Sequence, residues 1–112
     1  MSKPRSAKAK GRRLQNLVRD TLREVYPELH DDDVKSQTMG MPGEDIVLSP
    51  AARKLIPYSF ECKNQERLSI WEALNQAEEN SGDSNPVLIF KRNRSKTYAV
   101  LEFDKLLELL NE

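Results

Sequence analysis

Residues 43–63 decide how the chain is read: Gly43-Glu44-Asp45-Ile46-Val47-Leu48-Ser49, a connector, then Tyr58-Ser59-Phe60-Glu61-Cys62-Lys63. Both pieces read as short strands, because β-branched and aromatic residues cluster between Gly, Pro and Ser. Side chains alternate along a strand, so Glu61 and Lys63 point to one face, Phe60 and Cys62 to the other. If the strands lie side by side, Asp45 comes next to Glu61. Two carboxylates with an ammonium alongside make a seat for a hard divalent cation. The bland alternative is a solvated strand end with a Glu–Lys ion pair, and a Glu-x-Lys triplet alone does not separate the two. Context favours the site: this triplet occurs once in the chain and closes an apolar strand shortly after Asp45-Ile46-Val47-Leu48.

This pattern resembles the PD-(D/E)xK nuclease superfamily, with Glu44-Asp45 where that family has Pro-Asp, and nearest in look are small phage and archaeal Holliday-junction resolvase-like endonucleases. The resemblance covers nearly the whole chain. It implies that Asp45 and Glu61 bind Mg²⁺ (Mn²⁺ can substitute), that Cys62 lends its backbone carbonyl, and that Lys63 positions or activates the attacking water. Relatives often carry a glutamate on the first helix that completes the metal site. Here Gln15 is the better-placed candidate, and it is a neutral, poorer ligand. Glu24 is the alternative, though it reads as a solvent-facing acid. Relatives also carry a glutamine on the helix after the triplet, which matches Gln76 in Trp71-Glu72-Ala73-Leu74-Asn75-Gln76; by residue pattern alone it is a boundary polar side chain. Ser36 falls where resolvase-like relatives place a serine beside the active site, and reads equally as a turn serine.

At 112 residues the chain has room for one domain. Lys and Arg number 18 and Asp and Glu 18, so the net charge is zero. No apolar run approaches the ~20 residues a membrane span needs, and no signal-peptide core is present, which points to a cytoplasmic protein. One cysteine, Cys62, and one histidine, His30, exclude an internal disulfide and a zinc cluster. The balanced total hides an uneven distribution. Lys3, Arg5, Lys8, Lys10, Arg12, Arg13 and Arg19 precede the first acid, and Lys91, Arg92, Arg94 and Lys96 form a late basic cluster. Such clusters neutralise phosphates and release counterions. Arg12, Arg13, Arg19, Ser36, Lys91, Arg92, Arg94 and Lys96 are therefore the DNA-contact candidates, against the plainer reading of a solvated tail and turn.

Along the chain, residues 1–10 read as a disordered basic tail and 11–112 as the folded domain. A helix is expected over 11–26, with Leu14, Leu17, Val18, Leu22, Val25 and Tyr26 at helical spacing and Pro27 ending it. His30 and Asp31 to Asp33 read as a solvated loop. An edge strand is expected over 34–38. Pro50 and Pro57 bracket an irregular or one-turn helical hairpin connection, with Arg53 and Lys54 at its tip. A second helix over 68–80 puts Ile70, Trp71, Ala73, Leu74 and Ala77 on one buried arc. Strands over 86–90 and 97–102 follow, then a helix over 103–110 whose leucines exceed the needs of one small core and suit a subunit interface.

The expected fold is a single α/β domain, a mixed sheet flanked by helices in the order α-β-β-β-α-β-β-α, which resembles the restriction-endonuclease-like fold. With no recognition helix and no aromatic interleaving, the resemblance implies a structure-selective endonuclease on branched DNA, a homodimer in the case of a four-way junction. The rivals are a nuclease acting on flaps, nicks, mismatches or linear duplex, and a DNA-binding module whose catalytic site has degraded.

Overall fold

The computed structural model describes residues 4–112, with side chains from Ser6 onward. Lys3 lies outside the described residues, as does the side chain of Arg5. Helix α1 (Pro4–Val25) begins well before residue 11. The segment read as a tail is thus helical from Pro4. Ala7, Lys8, Ala9 and Lys10 are strong helix formers, and proline suits the first helical turn. Lys10 is 9% exposed, and its carbonyl accepts a 3.1 Å hydrogen bond from Asn64 Nδ2.

After a 3₁₀ turn (Asp31–Asp33), β1 (Val34–Ser36) pairs antiparallel with β2 (Ile46–Leu48). The connector forms a true helix, α2 (Pro50–Leu55). Ser49 caps it, accepting from the Ala52 N–H at 3.1 Å while donating to Asp33 Oδ1 at 2.6 Å. Arg53 does not project from a loop tip. It is held by Glu44 and by the Tyr58 carbonyl, at 2.6 Å from the latter. Strand β3 (Tyr58–Asn64) pairs parallel with β4 (Asn85–Lys91) through the crossover helix α3 (Ile70–Asn80), and β4 pairs antiparallel with β5 (Tyr98–Val100). Helix α4 (Phe103–Leu110) follows.

The strands form two ladders, β1–β2 and β3–β4–β5. Asp45 joins them: its carbonyl accepts from Gln37 N–H at 2.8 Å and its N–H donates to the Phe60 carbonyl at 3.0 Å. On one side of β3, Phe60 and Cys62 meet the α1 core of Leu14, Val18, Val34, Ile46 and Leu48. On the other, Ala73 and Ala77 of α3 are buried; their small side chains let the helix lie close to the sheet, where it contacts β3 and β4.

Trp71, expected in the core, is 79% exposed. Only the narrow stripe through Ala73 and Ala77 fits against the sheet, and Trp71, two residues from Ala73, projects from the opposite side. Among the described residues no helix is long and apolar enough to cross a membrane.

Candidate active site

Strand alternation, one edge of β3 and two helices converge on one cleft of about 480 Å³. It is lined by Gln15, Asp45, Glu61, Cys62, Lys63 and Gln76 together with turn residues around Gly40. Asp45 Oδ2 accepts the Cys62 N–H at 2.6 Å. A residue's N–H and carbonyl leave a strand toward the same side, so the Cys62 carbonyl also faces the edge where Asp45 docks.

Glu61 is 3% exposed. Lys63 Nζ lies 3.7 Å from its Oε2, and Asn80 Nδ2 donates to its Oε1 at 3.3 Å. Burial pushes both carboxyl groups above their ordinary range. The charge of Asp45 raises Glu61 further, while the Cys62 N–H, Lys63 and the Gln15 amide favour charged Asp45, and Asn80 and Lys63 favour charged Glu61. Two buried carboxylates with one ammonium, 3.7 Å from Glu61, lack full compensation, which is the condition a divalent cation relieves.

The donor set suits Mg²⁺: carboxylate, amide and carbonyl oxygens, with no thiolate or imidazole. Gln15 Oε1 is buried without a hydrogen-bond partner, an oxygen available to a cation or its water. No group of three His, Cys, Asp or Glu side chains gathers among the described residues; beside Asp45 and Glu61 the cleft is lined by the neutral Gln15. Glu24 is exposed on α1, outside the cleft. The Cys62 thiol is buried and pushed strongly up by that burial, so its sulfur is not a nucleophile.

The basic candidates divide. Arg13 lines a cleft of about 1200 Å³ beside Lys10, Glu66, Arg67 and Asn93, and Arg92 and Arg94 line its neighbour with Glu66 and Arg67. Glu66 ties this region together, 3.9 Å from Lys10 Nζ and accepting the Asn93 N–H at 2.6 Å. Arg94 sits at φ 63°, a left-handed conformation that costs a non-glycine residue about 1–2 kcal/mol. Arg12 and Lys96 are exposed outside these clefts, and Lys91 is half-buried with its carbonyl bonded to Gln65 N–H. Arg19 pairs with Asp20 at 2.8 Å. Ser36 does not reach the active cleft; its hydroxyl donates to Asn16 Oδ1 at 2.9 Å. Sequence reasoning missed Arg67 and the roles of Asn80 and Glu66. Asn80 alone carried a signal, one turn beyond Gln76 on the same helix border.

A mixed α/β fold with Asp45, Glu61 and Lys63 meeting at the edge of β3 defines the PD-(D/E)xK nuclease class. The family described as "Phage putative PDDEXK endonuclease" matches residues 6–112, and the chain belongs to it. No curated protein and no solved structure matches the chain.

Proposed function

We propose that this nuclease is a metal-dependent, structure-selective DNA endonuclease that cuts four-way junctions as a homodimer in the cytoplasm of the infected cell. The observation that carries the reading is the uncompensated pair Asp45 and Glu61 facing one cleft with Lys63 and the partnerless Gln15 Oε1. Asp45, Glu61, the Cys62 carbonyl and Gln15 would hold Mg²⁺, with Mn²⁺ as substitute. The bound ion supplies Lewis-acid polarisation of the phosphate and a more acidic water.

The chain's own groups do the rest. The Lys63 ammonium faces the negative charge that builds on the phosphate oxygens, and it orients the water whose oxygen forms the new P–O bond as one ester P–O bond breaks. Gln76 hydrogen-bonds the same water or the scissile phosphate. Arg13, Arg67, Arg92 and Arg94 grip the flanking backbone through charge, which is insensitive to sequence.

The test is a labelled four-way junction beside linear duplex, flap and nicked DNA of matched sequence, each with Mg²⁺. Paired nicks in the junction alone support the reading. Equal cutting of all substrates keeps the nuclease and removes junction selectivity. Tight, salt-sensitive binding without cutting favours a degraded binding module, the reading that the neutral Gln15 permits.

A further inference from the structure

One carboxylate stands among five cations in the two basic clefts. Lys10, Arg13 and Arg67 line the first with Glu66, and Arg92 and Arg94 join Arg67 around it in the second; among the described residues Glu66 is the one acid lining either. Its Oε2 accepts the Asn93 N–H at 2.6 Å and lies 3.9 Å from Lys10 Nζ. The β4–β5 turn does not use that N–H for itself, since it closes with the Ser95 N–H on the Arg92 carbonyl at 3.2 Å. Lys10 is nine-tenths buried, and its 3.9 Å approach to Glu66 is longer than a hydrogen bond. A buried ammonium thus faces an anion it does not fully meet, which leaves part of its desolvation cost standing. Arg13, Arg67, Arg92 and Arg94 form no ion pair among the described residues. The Glu66 side chain is half exposed on the loop between β3 and α3, so nothing traps it in place.

We infer that this is a phosphate site, at which the Asn93 N–H and the Lys10 ammonium receive an oxygen of the DNA backbone, and that the Glu66 carboxylate holds that oxygen's place until DNA displaces it. A carboxylate and a phosphodiester are both single negative charges spread over two oxygens, and both accept short, charge-assisted hydrogen bonds from N–H donors. Five cations against one acid favour a polyanion over a single side chain. That the polyanion is DNA rests on the nuclease reading above; the geometry of the site does not. The start of α1 is the wall between this site and the catalytic one: Ala7, Lys8 and Gly11 line the active cleft, Ser6, Lys10 and Arg13 the basic one. A helix is about 10 Å across and a strand advances about 3.4 Å per nucleotide, so the site takes a phosphate roughly three nucleotides from the scissile one. Glu66 then sets a threshold. When a phosphate displaces it, the freed carboxylate gathers a counterion, which offsets one of those the DNA releases. The plainer role, a clamp that fastens the turn to the loop, gives the opposite sign: loss of the Glu66 charge would loosen the turn and weaken binding.

The test is binding of labelled four-way junction DNA by the full chain in excess chelator, where nothing is cut, across a range of salt. The wild type is compared with Glu66→Gln, whose amide oxygen still accepts the Asn93 N–H, and with the control Glu102→Gln at the start of α4, outside both clefts. Glu66→Gln is expected to bind about tenfold tighter at low salt, with a log–log salt slope steeper by about one, while the control keeps the wild-type slope. An affinity that is unchanged or weaker in Glu66→Gln, or an unchanged slope, overturns the inference. Glu66→Ala empties the site, and inorganic phosphate titrated alone is then expected to shift the Asn93 amide resonance saturably, at concentrations at least about tenfold lower than in the wild type. An Asn93 amide that ignores phosphate in this variant, or responds equally in both proteins, also overturns it. Tighter binding with the steeper slope, while no protein cuts any DNA with Mg²⁺, supports the phosphate site and removes the nuclease reading. Junction cutting by the wild type with unaltered binding in Glu66→Gln overturns the phosphate site and leaves the nuclease reading standing.

Discussion

Asp45 and Cys62, seventeen residues apart, are joined by a 2.6 Å hydrogen bond from the Cys62 backbone N–H to Asp45 Oδ2. It fixes one carboxylate against the strand that carries Glu61 and Lys63, so the site is set by backbone geometry. Burial holds Asp45 and Glu61 above their ordinary values of 3.8 and 4.5. A carboxyl raised in the folded state contributes stability that is full below its unfolded value and is lost as pH rises through the folded one. Without metal, Asp45→Asn is therefore expected to melt above the wild type at pH 7, with the advantage disappearing below pH 3.8. Mg²⁺ should raise the wild-type Tm at pH 7 and leave the variant unchanged. Equal wild-type and variant melting at every pH would contradict this.

Asn80 steadies Glu61 from α3 and touches nothing the reaction consumes. Partners that orient metal ligands are typically worth 10–100-fold in affinity. Asn80→Ala should weaken Mn²⁺ binding by about tenfold, read by calorimetry, and saturating Mn²⁺ should restore part of the cleavage rate. An unchanged Mn²⁺ affinity rules out the positioning role.

Lys63 lies 3.7 Å from Glu61 and is the cation nearest the scissile phosphate in the proposed geometry. Lys63→Ala should lower the single-turnover cleavage rate by about 10²–10³, with DNA affinity changed far less. A rate within tenfold of the wild type would assign the charge stabilisation elsewhere.

Arg94 holds a left-handed backbone at φ 63° in an exposed turn, where glycine fits without steric cost. Arg94→Gly is expected to stabilise the fold by a net of about 0.5–1 kcal/mol while flattening the salt dependence of DNA binding by about one phosphate contact. A denaturant melt and a salt titration of binding measure the two halves; a gain in stability with no change in salt slope would leave Arg94 a turn residue only.

Strand alternation put Glu61 and Lys63 on one face, and the helical wheel put Gln15 on the inward edge of its helix. Gln76 reads by pattern alone as a boundary polar residue, and its place at the site came from the family resemblance. The Asp45 bridge was visible only as adjacency, since its partners are Gln37, just beyond β1, and Phe60 and Cys62 on β3. Trp71 was misread because an apolar arc on a helix states what is able to be buried, whereas the sheet decides how wide a stripe it covers. The start of α1 was misread because a basic, apolar-poor segment was taken as a tail, although Lys10 packs against Glu66 from a loop 56 residues away in sequence. Ser36 carried the right residue type at the expected place in sequence, but its hydroxyl is committed to Asn16.

Metal-dependent cleavage by the two-carboxylate site is most directly tested by one experiment: four-way junction DNA incubated with Mg²⁺, with Mn²⁺ or with excess chelator, using the wild type, Asp45→Asn and Glu61→Gln. Cutting by the wild type with either metal, abolished by chelator and reduced at least about 10³-fold in both variants, is the expected result. Cutting that persists in chelator, or that survives in either carboxylate variant, would contradict a metal site at Asp45 and Glu61.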